Sequence, residues 1–79
     1  MAERIVATLR NESRVKVDLL YSIDGWREIS DGELVLKPCY ILRAWSMDAS
    51  GTGKAKQINL LPEELEILRK VNLKETSNG

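Results

Sequence analysis

The stretch Cys39-Tyr40-Ile41-Leu42-Arg43-Ala44-Trp45-Ser46-Met47 decides the fold. It holds no glycine or proline, and its tyrosine, isoleucine and tryptophan favour extended backbone. As a strand of period two it puts Ile41, Arg43 and Trp45 on one face. Pro38 interrupts the pattern just before it, as expected of a strand edge or turn. Downstream, Asp48-Ala49-Ser50-Gly51-Thr52-Gly53 reads as a flexible loop, and residues 56–60 read as a short strand.

Towards the N-terminus, Arg14-Val15-Lys16-Val17-Asp18-Leu19 alternates polar and apolar and runs on through Leu20 and Tyr21. That alternation is the mark of a half-buried strand. Asp24-Gly25 is a turn signal, and residues 26–30 read as the next strand. Asp31-Gly32 is a second turn signal, or a bulge within a longer bent strand. Leu34-Val35-Leu36 continues the apolar pattern. Residues 4–10 are a candidate extra strand, turned into the next by Asn11-Glu12-Ser13.

The chain then changes period. Pro62 suits a first helical position, and Glu63, Glu64 and Glu66 sit at the positive end of a helix dipole. Leu61, Leu65, Leu68 and Val71 or Asn72 fall at helical spacing, and Ile67 widens that stripe. Arg69, Lys70 and Lys74 come late, where cations suit the dipole. Strands followed by one helix make an α+β class. The expected architecture is a curved antiparallel sheet of four strands, five with the extra one, and a C-terminal helix. Residues 1–13 form the arm or extra strand, 14–73 the core domain and 74–79 a frayed tail.

Seventy-nine residues allow one domain, and a core that small is marginal alone. Cys39 is the single cysteine and histidine is absent, which excludes an internal disulfide and the usual zinc ligand sets. No metal or cofactor is expected. A partner subunit is the remaining staple, so a homodimer is expected, with Leu61, Leu65, Leu68 and Val71 at its contact. The N-terminal residues lack a signal-peptide pattern and no run approaches a membrane span. An intracellular setting is expected: a bacterial cytoplasm or a phage-infected cell ahead of a nucleus.

Twelve basic and twelve acidic residues balance. The charge is nonetheless uneven. Residues 35–60 hold Lys37, Arg43, Lys54 and Lys56 against Asp48 alone, a net +3, while residues 1–34 carry −2 and residues 61–79 carry −1. A local cationic block can attract phosphates under a neutral total; a solvated polar face is the plainer reading of charge alone. Catalytic motifs fail. Gly51-Thr52-Gly53-Lys54 lacks both the leading glycine and the hydroxyl residue of a phosphate loop. No histidine can act as a base, and Cys39 within a strand reads as a buried thiol. The chain is not expected to be an enzyme.

What survives is a constellation of cations and aromatics: Arg43 and Trp45 on one strand face, Lys37 before it, Lys54 and Lys56 after it, and Trp26 with Arg27 opening an earlier strand. On a sheet, such groups let cations meet phosphates while rings stack on bases. Each tryptophan reads equally well as core. Arg43 does not, because a buried arginine needs a partner.

Arg43-Ala44-Trp45-Ser46-Met47-Asp48, a glycine-containing loop with Lys54 and Lys56, and Ile58-Asn59-Leu60-Leu61-Pro62-Glu63-Glu64-Leu65 together resemble the family of the transcriptional coactivator positive cofactor four. Gly25-Trp26-Arg27 resembles a run in its short prokaryotic and phage members. The resemblance covers roughly residues 14–72 and is tightest over 40–65. It implies a homodimer joined by helices and last strands, with single-stranded DNA over the sheets. It also implies DNA contact by Arg43, Lys37, Lys54 and Lys56. Ser46 stands where that family has a stacking tryptophan, and Leu34 to Leu36 where it has a stacking phenylalanine. The expected function is sequence-tolerant single-stranded DNA binding in replication, recombination or transcription, alongside the proteins of those processes. A dimeric protein-interaction adaptor and an RNA-binding module are the alternatives.

Overall fold

The computed structural model describes residues 3–71. Asn72, Lys74 and the 74–79 tail lie outside the described residues. Four strands, β1 (Arg4–Asn11), β2 (Val15–Ser30), β3 (Glu33–Met47) and β4 (Gly53–Leu60), form one antiparallel sheet in chain order. The helix α1 (Pro62–Arg69) follows. The class is α+β, and residues 4–11 add an edge strand to β2.

The turn dipeptides play different parts. Asp31 (φ 53°) and Gly32 (φ 79°) both lie in the left-handed region and close the long β2–β3 hairpin between Ser30 and Glu33. Two positive φ values match the twist that tight hairpins require, and aspartate and glycine tolerate them. Asp24-Gly25 is no turn: β2 runs straight through it as a bulge. Between the pairs Ser22–Cys39 and Trp26–Lys37, β2 spends residues 23–25 where β3 has only Pro38. Proline has no N–H to offer the ladder, so the mismatch falls where pairing is already interrupted. The two expected short strands on each side of this point are therefore one long strand each.

The bulge brings backbone onto the core. Leu20, Cys39 and Ile41 are the buried apolar residues, and Trp26 packs against them. A Cβ at Gly25 would stand 2.7 Å from Cys39 Sγ and 2.9 Å from Ser22 Oγ, so only glycine lets the chain pass this close. Asn59 Nδ2 donates to the Gly25 carbonyl at 3.1 Å, tying β4 to the bulge.

The 48–52 connection is more ordered than its composition suggests. One Asp48 carboxylate oxygen accepts from the Ser50 and Thr52 amides, both at 3.0 Å, and from Ser50 Oγ at 2.6 Å. Gly51 takes φ 87°. Strand β4 accordingly starts at Gly53, earlier than the expected 56, and includes Lys54.

Helix α1 begins with Pro62 at its first position, and Leu61 N–H donates to Glu64 Oε1 at 2.8 Å. Leu61 and Leu65 are half-buried, whereas Ile67, Leu68 and Val71 stay exposed. No helix among the described residues is long and apolar enough to cross a membrane.

Candidate nucleic-acid interface

Register sorts the candidate residues onto two faces. On β3 and β4, Arg43 pairs with Gln57 and Trp45 with Ala55, whereas Ala44 pairs with Lys56 and Ser46 with Lys54. Directly paired residues of antiparallel strands share a face, and neighbours along a strand do not. Arg43 and Trp45 therefore occupy one face, and Lys54 and Lys56 the other. Alternation on either side of the turn adds Lys37 and Trp26 to the first face and Arg27 to the second. The single basic-aromatic platform expected from the sequence is split.

The Arg43 face is internally compensated. Arg43 Nη2 meets Glu3 at 3.1 Å, and its Nε donates to Gln57 Oε1 at 3.2 Å. Asp18 is the residue opposite Arg43 on β2, and Lys16 the one opposite Trp45. Trp45 is half-buried, with its indole lying over Gly53 so closely that a Cβ there would stand 2.8 Å from Nε1. Trp26 is held by the core on one side and by Glu28 on the other, its indole N–H donating to Oε1 at 3.0 Å. Lys37 bridges the second Glu28 oxygen at 3.2 Å. Lys37 and then the Trp26 N–H keep the Glu28 carboxyl below its ordinary range. Trp26, Lys37 and Arg43 thus already have partners within the chain.

The opposite face differs in kind. Its register positions are Arg4, Ala7 and Arg10 on β1; Val15, Val17, Leu19 and Tyr21 on β2; Tyr40, Leu42, Ala44 and Ser46 on β3; and Lys54, Lys56, Ile58 and Leu60 on β4, with Arg27, Ile29, Leu34 and Leu36 towards the β2–β3 turn. No carboxylate stands among these positions. Arg10 pairs with Glu12 of the β1–β2 turn at 2.9 Å, whereas Arg4, Lys54 and Lys56 have no ion pair among the described residues. The centre is apolar and aromatic. Tyr21 and Tyr40 are direct cross-strand partners with ring centroids 5.2 Å apart at 62°, and the Arg4 guanidinium sits 5.6 Å over the Tyr21 ring. Next to them a shallow trough of about 280 Å³ is lined by Leu42, Ala44, Lys56, Gln57 and Ile58.

Nothing in the composition or local spacing of the sequence marks Arg4, Arg10, Tyr21 and Tyr40 as candidates. The signal for Tyr40 is parity: a hairpin closed by Met47 and Gly53 pairs residues of like parity, so even-numbered positions of β3 and β4 share a face. Tyr21 follows as the β2 partner of Tyr40, whereas Arg4 and Arg10 depend on register shifts in β1 that spacing alone does not give.

The described residues hold no group of three or more His, Cys, Asp or Glu side chains able to bind a metal ion. Among the expected dimer-contact residues, Leu61 and Leu65 are half-buried within the chain, and Leu68 and Val71 are uncovered. Comparison with protein-family models, with curated proteins and with solved structures finds no match to this chain.

Proposed function

We propose that this protein binds single-stranded DNA with little sequence preference, as a homodimer, through the sheet face that carries Lys54, Lys56, Arg4 and Tyr40. The observation that carries the reading is the charge pattern of that face: cations on the outer strands, no carboxylate at any paired position, and an open apolar centre. Cations recruit a phosphate backbone, and flat or apolar groups between them receive unpaired bases. Duplex DNA keeps its base faces stacked inside and gains only the charge component. The likeness to the positive cofactor four family supports single-stranded DNA as the ligand; of the four contact residues it implies, Lys54 and Lys56 lie on this face and Arg43 and Lys37 on the other. Arg43, by contrast, lies on the opposite face and bridges Glu3, linking the N-terminal residues to β3.

The homodimer is supported by what a single chain leaves uncovered. Among the described residues the buried apolar set is Leu20, Cys39 and Ile41, while Ile67 and Leu68 of α1 are 66% and 55% exposed. So small a core is a weak basis for an isolated chain. Fluorescence anisotropy with labelled oligo(dT) and a duplex of equal length tests the DNA reading. Preference for the single strand at low salt, weakening steeply as salt rises, is the expected result. Equal or no binding of the two overturns it. Failure with DNA alongside retention of a protein partner would favour the adaptor alternative.

A further inference from the structure

We infer that Tyr40, with Tyr21 and the adjoining Leu42–Ala44–Ile58 trough, forms a nucleobase-receiving site, and that the DNA crosses the strands with its phosphates on the cationic margins. The inference rests on the single-stranded DNA reading above and deepens it by naming where the bases go.

Three observations meet at this place. The first is the aromatic pair. Tyr21 and Tyr40 are half-buried, and each buttresses the other at 62°. Rings held this way lose little freedom on binding, so contact with a base costs little ordering entropy. Arg4 lies over Tyr21 and adds a planar cation, a group that itself stacks on aromatic faces. The second is the trough. Ala44 is a small residue beside the directly paired Leu42 and Ile58, and that contrast leaves a hollow with Lys56, the partner of Ala44 on β4, at its rim. Ile58 is 57% exposed beside it, so the wall is open to a ligand. The third is the layout across the sheet. Tyr21, Tyr40, Leu42 and Ala44 lie on the central strands, with Arg4 and the Glu12-bridged Arg10 on β1 and Lys54 and Lys56 on β4. An apolar middle with cationic borders matches the division of a single strand into bases and phosphates. The paired positions of the face hold no carboxylate, and Glu12 at its β1 margin is already bridged to Arg10, so the charge complementarity of the face is towards a polyanion.

The test separates bases from phosphates. Full-length protein is titrated with oligo(dT) and with an abasic oligodeoxynucleotide of the same length and charge. The wild-type chain is expected to bind oligo(dT) at least about tenfold more tightly than the abasic strand, the scale of one stacked base. Tyr40→Leu should close most of that gap by weakening oligo(dT) alone, while Tyr40→Phe keeps it. Equal wild-type affinity for the two strands overturns the base site and leaves the electrostatic reading standing. A gap that survives Tyr40→Leu in a protein with unchanged circular dichroism also overturns it. Absence of any single-strand binding by the wild-type chain overturns the DNA reading and this inference together. If Tyr40→Leu does not fold, quenching of wild-type tyrosine emission decides: oligo(dT) should quench it and the abasic strand should not, and equal quenching by both counts against the site.

Discussion

Arg43 and Lys56 lie on adjacent, directly paired strands, one residue out of register, and that single residue puts them on opposite faces of the sheet. Arg43 faces Gln57 and reaches Glu3, while Lys56 faces Ala44 and borders the open trough. The two cations belong to different electrostatic settings, one compensated and one not.

The DNA affinity should follow that division. Changing Lys54 and Lys56 together to alanine is expected to weaken oligo(dT) binding by tenfold or more at low salt. The salt slope should become shallower by about 1.4, the loss of two single-strand phosphate contacts. Arg43→Ala should leave the slope nearly unchanged, because its charge is already spent on Glu3. Anisotropy titrations at several salt concentrations measure both; an Arg43→Ala slope change as large as that of the double variant would move the interface to the other face.

Gly25→Ala should destabilise the fold by about 1–3 kcal/mol, the usual range for overpacking a tight core. The added methyl would collide with Cys39 Sγ and Ser22 Oγ, both belonging to buried residues. Chemical denaturation read by tryptophan fluorescence checks this, since Trp26 packs against the same core. Gly32→Ala is a control of another kind, as open space surrounds that position and only its positive φ resists substitution.

Acid should loosen the 48–52 connection. Ser50 Oγ and the backbone amide of Thr52, with smaller help from the Ser50 and Gly51 amides, hold the Asp48 carboxyl below its ordinary 3.8. A depressed folded-state value means that this stabilisation is fully present above the unfolded value and fades as pH falls through the folded one. Asp48→Asn should therefore lower stability at neutral pH and flatten the acid limb below about pH 4. Thermal melts from pH 2 to 7 show the difference; parallel curves for the two proteins would remove Asp48 from the account.

Leu68→Asp tests the assembly. The side chain is exposed on α1 within one chain, so a fold that needs no partner would tolerate the change. The expected outcome is a light-scattering mass that drops to that of one chain, or a chain that fails to fold. A stable dimer in this variant moves the contact off the helix.

The strands, their antiparallel order and the terminal helix follow from alternation and capping, which are local properties. Arg43 and Trp45 were legible as face-mates for the same reason, being two residues apart in one strand. Their relation to Lys54 and Lys56 was not. It depends on how the 48–52 connection sets the β3–β4 register, and that connection is fixed by Asp48 accepting from groups two and four residues on. Asp24-Gly25 and Asp31-Gly32 look alike as dipeptides. The second turns the chain because Ser30 and Glu33 pair beside it. The first bulges because Pro38 across the sheet leaves it no regular partner. Trp26 reads equally as stacker or core, and the structure packs one side of it against Leu20, Cys39 and Ile41 while leaving it partly exposed.

Cys39 gives the protein an internal clock. It is wholly buried beneath the Gly25 bulge, and burial, then Glu3 and Asp24, hold its thiol above its ordinary range. A thiol reagent can reach it only when the bulge or the Leu20–Ile41–Trp26 packing around it opens, so the rate of labelling counts opening events at the core of the sheet. With a single cysteine in the chain, every labelled molecule reports that one motion. Binding on the far face should slow the clock in proportion to how firmly the ligand holds the sheet closed.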